Sequence, residues 1–259
     1  ASLPAGAVAQ GEVAVLVCQA EPMAIDFTLT PELEDLRLRV RTFLDDVVVP
    51  TEKTLDPDDR DGYLTALLGM RKAAFEAGLW CPHMPVEWGG MGLSHVEMAM
   101  VQAEAAKTYY GPWVLNCQAP DEGNMHTLLH WATPDQAEKY LRPLCEGKAW
   151  SCFAMTEPEV AGSDPTLIQT RAYRDGDEWV INGHKWFISN AHRANFAILL
   201  ARTEDDPDMP QAANTGFIVD IPSEGWTEVR EVETMHGSTG HSEIRIEDLR
   251  VPADAMLGG

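Results

Sequence analysis

The chain has 259 residues, 45% of them apolar, which gives room for one large or two modest folded units. Its 41 acids against 19 bases leave a formal charge of −22, a poor match for nucleic acid or an anionic membrane. Five scattered cysteines (Cys18, Cys81, Cys117, Cys145, Cys152) form no CxxC pair and fit free thiols in a reducing compartment.

Residues 7–20 are mildly apolar but lack a basic start and are interrupted by Gln10, Gly11 and Glu12, unlike a signal peptide. Residues 1–22 are expected to be a leader, disordered or of expression origin, ahead of Met23. No apolar run is long enough to span a membrane as a helix.

From residue 23 to 148 the apolar spacing is helical. Thr30-Pro31 is an N-cap followed by a first-turn proline. Leu33, Leu36, Val40, Phe43, Leu44 and Val47 then mark an amphipathic helix expected to stop at Pro50. A second helix is predicted over 64–77, with Gly78 past its end. Residues 79–93 are too rich in Pro, Gly and aromatics for a helix. Ser94-His95-Val96-Glu97 reads as a capping box, opening a third helix to about Lys107. A short helix is predicted over 124–131. Another begins at Thr133-Pro134, ends near Leu141 and is closed by Pro143 and Gly147.

Near residue 148 the period changes from helical to alternating. Strands are predicted over 151–156, 167–174, 178–182, 185–189, 196–203, 215–221, 226–231 and 242–249. Several short strands at near-regular spacing suggest a barrel or sandwich. Asn182-Gly183 is expected to turn a hairpin between Trp179-Val180-Ile181 and Trp186-Phe187-Ile188-Ser189. The fold class expected is thus α+β, an N-terminal helical bundle over 23–148 and a middle β-barrel over 149–259.

The stretch from Trp150 to Asn190 carries the chemistry. It holds Thr156-Glu157-Pro158, then Gly162-Ser163-Asp164, then Asn182-Gly183-His184-Lys185-Trp186-Phe187-Ile188-Ser189. Strand ends presenting Thr156, Ser163 and Ser189 beside aromatic rings suit a flat heterocycle with polar edges. Taken together these motifs resemble the middle domain of the acyl-CoA dehydrogenases. They are most similar to a branch fused to kinase-like domains in animals and found alone in bacteria. A segment Pro85-Val86-Glu87-Trp88-Gly89-Gly90-Met91-Gly92-Leu93 resembles the same family's N-terminal domain.

The resemblance implies FAD, with Phe153, Met155 and Thr156 lining the isoalloxazine. It implies Thr156 and Ser189 hydrogen-bonding the polar edge of the ring, and Trp186 or Phe187 packing on it. Ser163 would lie by the pyrophosphate or the CoA arm of the substrate. The turn Glu159-Val160-Ala161-Gly162 is one residue longer than the commonest family form, as in the branch named. The implied reaction is α,β-dehydrogenation of an acyl-CoA, with an electron-transfer flavoprotein as acceptor, in a homodimer or homotetramer of the cytoplasm of a bacterium. The family's catalytic base lies in a C-terminal helical domain expected beyond Gly259, so no catalytic residue is expected here. Two alternatives stay open: a non-catalytic flavin or acyl-CoA binding relative, and another flavin oxidation (oxidase, hydroxylase or nitroalkane type) on the same scaffold.

Other candidates read more plainly. Glu157 is implied to be structural. His126 and His130 stand four apart on a helix but lack the HExxH glutamate and a visible third ligand, so they read as incidental and no metal is expected. His236, His241 and Glu243 fall in a Gly-rich bend that the resemblance places by the acyl-CoA channel. Arg171, Arg174 and Lys185 read as solvated bases. There is no GxGxxG, P-loop or GxSxG elbow.

Overall fold

The computed structural model describes residues 28–56, 59–204, 213–235 and 240–259. The predicted leader, Cys18 and the bend residues His236 to Thr239 lie outside them.

The helical part begins with α1 (Pro31–Phe43), whose Thr30 hydroxyl accepts from Leu33 N and whose Leu36, Val40 and Phe43 are buried. The chain does not stop at Pro50. A π-turn over Leu44–Val48 leads into α2 (Val49–Glu52), and Pro50 sits in the first turn of that new segment. The same device recurs after α7 (Pro134–Gln136), where a π-turn over Ala137–Leu141 admits Pro143 into α8 (Arg142–Cys145). Widening the turn removes the need for the N–H that proline lacks, so these prolines bend a helix path that the sequence pattern assigns to a stop.

Between these lie α3 (Arg60–Glu76), α4 (His95–Ala105), α5 (Gly111–Val114) and α6 (Asp121–Trp131). The Ser94–Glu97 capping box of α4 is present in both directions. Val40, Leu44, Leu67, Met84, Leu115, Met125, Leu128 and Leu141 share one core. That core also takes in Phe196, Ile198 and Ile218 from the β part, so the two parts pack through apolar contact.

Among the described residues the β part is a seven-stranded curled sheet: β1 (Ser151–Ala154), β2 (Arg171–Asp175), β3 (Glu178–Ser189), β4 (Phe196–Arg202), β5 (Asn214–Asp220), β6 (Trp226–Glu231) and β7 (His241–Pro252). The order is β1-β4-β2-β3-β7-β6, with β5 antiparallel to β4. Its second core holds Cys152, Ile181, Ile188, Leu199, Phe217, Ile244 and Leu249.

The expected hairpin at Asn182-Gly183 is not formed. β3 runs unbroken from Glu178 to Ser189 along β7, and the β2–β3 turn is at Gly176, with φ +64°. Asn182 and Gly183 mark a register shift inside the strand. The Asn182 amide brackets Asp248, donating to its carboxylate at 3.1 Å and accepting from its N–H at 2.8 Å. Gly183 is required by close approach, since a Cβ there would stand 2.2 Å from Thr170 Oγ1.

Candidate functional site

The strand end after β1 meets the middle of β3 at one point. Trp186 N–H donates to the Thr156 carbonyl at 3.0 Å, and the Thr156 hydroxyl donates back to the Trp186 carbonyl at 2.5 Å. A second register shift along β3 falls between Lys185 and Ile188. Within it Phe187 holds φ +54°, a conformation costly for a bulky side chain. Strand alternation should send Trp186 and Phe187 to opposite faces. The bulge re-aims them, and their rings meet at 4.7 Å between centroids, edge to face. Phe187 stays 43% exposed despite the strain. Strain retained to hold an aromatic ring in solvent makes Phe187 a candidate binding residue.

Ser189, two residues on, is half-buried and shares a 2.9 Å hydrogen bond with His241 Nδ1 at the start of β7. Thr156, Trp186, Phe187, Ser189 and His241 thus form one ledge of hydroxyls and rings.

Ser163 lies in the exposed turn before Asp164. That turn folds back on the ledge, because a Cβ on Gly162 would lie 3.0 Å from Thr156 Cγ2. Met155 offers its carbonyl to Lys185 Nζ at 2.8 Å. Phe153 is half-buried on β1 and packs its side chain against the helical core, unlike the other ring residues of the set.

Beneath the ledge is a buried ion pair that the sequence pattern did not disclose. Lys185 is fully buried, not solvated, and its Nζ lies 2.8 Å from Glu157 Oε1. Glu157 also accepts from Gln169 N–H, Thr170 N–H and the Thr170 hydroxyl. Burial pushes Lys185 below the usual lysine range, partly offset by Glu157. Burial opposes ionisation of Glu157 too, but the donors from Lys185 and Thr170 outweigh it and hold its carboxyl below the usual range. The Glu157 side chain therefore has its acceptor capacity spent, and its role is to fix the chain on either side of Thr156. Beside the pair a cleft of about 380 Å³ is lined by Pro158, Gln169, Gly183, His184, Arg245 and Glu247, among others.

Glu243 is equally committed. It accepts from His184 Nε2 at 2.8 Å and from Arg230 Nε at 2.7 Å, and these hold its carboxyl below the ordinary range. Neither carboxylate is placed to act as a base.

The ledge fits a flat heterocycle: an exposed ring edge, hydroxyls of both Thr156 and Ser189, and rigid backbone behind them.

Comparison with known proteins assigns both parts of the chain to one family. Residues 30–148 match the family description "Acyl-CoA dehydrogenase, N-terminal domain" and residues 152–249 match "Acyl-CoA dehydrogenase, middle domain". The chain is 34% identical over 242 residues to acyl-CoA dehydrogenase family member 11 of Gallus gallus, covering 87% of this chain and 30% of that one. A solved structure described as an acyl-CoA dehydrogenase from Mycobacterium abscessus superposes with a TM-score of 0.81 at 31% identity, over 90% of this chain and 61% of that one. A glutaryl-CoA dehydrogenase from Mycobacterium smegmatis in complex with FADH2 matches with a TM-score of 0.65 at 25% identity, over 88% of this chain and 55% of that one. The chain thus spans under a third of the avian relative and about three fifths of the mycobacterial structures. Animal and bacterial relatives match at similar identity, so the likeness assigns no source. Among the described residues no helix is long and apolar enough to cross a membrane.

Proposed function

This chain belongs to the acyl-CoA dehydrogenase family, and on that premise we propose that it forms the flavin face of an FAD-dependent acyl-CoA dehydrogenase. The observation that carries the reading is the Trp186–Phe187 bulge, which holds a strained, exposed ring beside Thr156 and Ser189. The glutaryl-CoA dehydrogenase of similar fold contains FADH2, which supports the choice of cofactor.

Bound there, FAD would supply hydride acceptance from the β-carbon of an acyl-CoA thioester. The chain's own part is binding and orientation. Trp186 and Phe187 wall the ring. With His241 Nδ1 as the donor between them, the Ser189 hydroxyl keeps its own proton for the ring's polar edge, where it would offset developing negative charge. The Thr156 hydroxyl is spent as a donor on Trp186, so it meets the ring as an acceptor. Met155 lines the ring beside it, and Phe153 contributes backbone only. Ser163, on the turn over Thr156, serves the pyrophosphate or the CoA arm.

Glu157 and Glu243 are each paired with a basic side chain, so neither is free to accept the α-proton. An acyl-CoA substrate, an electron-transfer flavoprotein as acceptor and a homo-oligomeric assembly complete the proposal. So do the two units at 23–148 and 149–259.

The test is a flavin fluorescence titration of the full chain with FAD. Saturable quenching that weakens in Phe187→Gly and in Ser189→Ala supports the reading. Equal affinity in wild type and both variants overturns it.

A further inference from the structure

Three side chains outside the flavin ledge converge in the helical part. Glu122 and His126 stand four apart on α6 and therefore on one face. His83 comes from the buried segment after α3. Its Nδ1 lies 3.2 Å from His126 Nε2, and that same Nε2 lies 3.5 Å from Glu122 Oε1. All three ligand atoms fall within 4.8 Å of one another.

The tautomer of His83 follows from its other nitrogen. Nε2 lies 3.2 Å from the Asn116 carbonyl, which can only accept, so Nε2 carries the proton and Nδ1 has a free lone pair. A ring N–H donated to a backbone carbonyl is the usual support of a metal-bound histidine. Two imidazoles and a carboxylate form a borderline donor set suited to zinc. Zinc bonds of about 2.0–2.2 Å in tetrahedral array set neighbouring ligand atoms about 3.3–3.5 Å apart. Two of the three spacings, 3.2 and 3.5 Å, are already at that distance, and the third is within 4.8 Å.

We propose that His83 Nδ1, Glu122 and His126 Nε2 bind a zinc-type divalent cation, with solvent in the fourth position. His83 is buried at the back, while Glu122 and His126 are 37% and 39% exposed, so an ion enters from solution. His130, the other helix histidine, takes no part: its Nδ1 lies 2.8 Å from the His126 carbonyl, on its own helix. The site is a clip. It pins the segment around His83 to α6, whose Asp121 and Asn124 hold Ser151 at the head of β1. Without an ion, a proton on His126 Nε2 bridges to His83 instead, and the cation replaces that proton.

The experiment uses the untagged full chain, stripped with a chelator and titrated calorimetrically with Zn²⁺ and optically with Co²⁺. The expected result is one ion per chain, intense tetrahedral-type cobalt bands, and a melting temperature raised by Zn²⁺. His126→Gln and Glu122→Gln, both on a solvent-facing helix side, should each weaken binding by about tenfold or more and abolish the thermal shift. His130→Gln should leave affinity within about twofold of wild type. No binding at tens of micromolar Zn²⁺ overturns the site. So does binding that survives His126→Gln, or that falls equally in His130→Gln.

Discussion

Lys185 Nζ and Glu157 Oε1 meet at 2.8 Å with side chains 0% and 3% exposed, directly beneath the Thr156–Trp186 crossing. The pair links the strand end after β1 to β3 across 28 residues of sequence. Its Nζ also reaches the Met155 carbonyl, so one ammonium positions both sides of the ledge. Lys185→Met should therefore cost about 3–5 kcal/mol in urea unfolding, because it strands a buried carboxylate. Lys185→Met with Glu157→Gln should cost markedly less than the two single changes summed. Additive losses would mean that the pair is not coupled.

Phe187→Gly separates binding from stability. Glycine relieves a positive φ worth about 1 kcal/mol and gives up a similar amount in chain entropy. Only the exposed ring is lost. Denaturation should place the variant within about 1 kcal/mol of wild type, while FAD affinity falls. A loss near the ~3–5 kcal/mol typical of a core phenylalanine would show that Phe187 is packing, not surface.

Gly183→Ala should destabilise by about 1–3 kcal/mol through overpacking against Thr170, whose hydroxyl serves Glu157. Thr170→Ala in the same chain removes the two nearest atoms, Oγ1 and Cγ2, so the double variant should lose less than the two single changes summed. Additive losses would mean that the close contact is not the cause.

Asp121 gives the fold a pH dependence. Burial raises its carboxyl from 3.8 to about 6, against hydrogen bonds from Ser151 that lower it. The folded state thus holds this proton more tightly than the unfolded chain. Its contribution is full below pH 3.8 and is lost as pH rises through about 6. At about 1.4 kcal/mol per unit the loss is about 3 kcal/mol. Asp121→Asn mimics the protonated form, and Gln118, whose Oε1 is buried without a partner among the described residues, can turn its amide to accept from it. Between pH 4 and 7 the stability of the variant should rise relative to wild type. A gap that is flat with pH would contradict the assignment.

What the sequence disclosed follows from the range of each interaction. Ser94–Glu97 is a four-residue device complete in itself, and it was legible as such. The helical-to-alternating change near residue 148 is likewise local, and helices do give way to strands between Cys145 and Ser151. Asn182-Gly183 misled because both residues answer to distant partners, Asp248 and Thr170, rather than to a turn. Pro50 and Pro143 misled because a π-turn, set by packing, removes the penalty that makes proline a stop. Lys185 read as solvated because its partner Glu157 is brought to it only by the sheet. His126 was visible, but its neighbour His83 lies 43 residues away, and the sequence offered His130 instead. Thr156, Trp186, Phe187 and Ser189 stand in motifs that resemble the family's, and the fold joins them into one ledge. Phe153 alone turns its ring to the helical core.

The central claim is that these residues hold the flavin while their own carboxylates take no proton from substrate. The direct measurement is the visible absorption spectrum of the FAD-loaded chain, before and after anaerobic addition of an acyl-CoA. The account predicts bound-flavin bands that persist after the thioester is added, since Glu157 and Glu243 are spent on Lys185, His184 and Arg230. Bands that bleach would show a working base among these residues, and a chain that stays colourless with FAD would show that the ledge is not the flavin face.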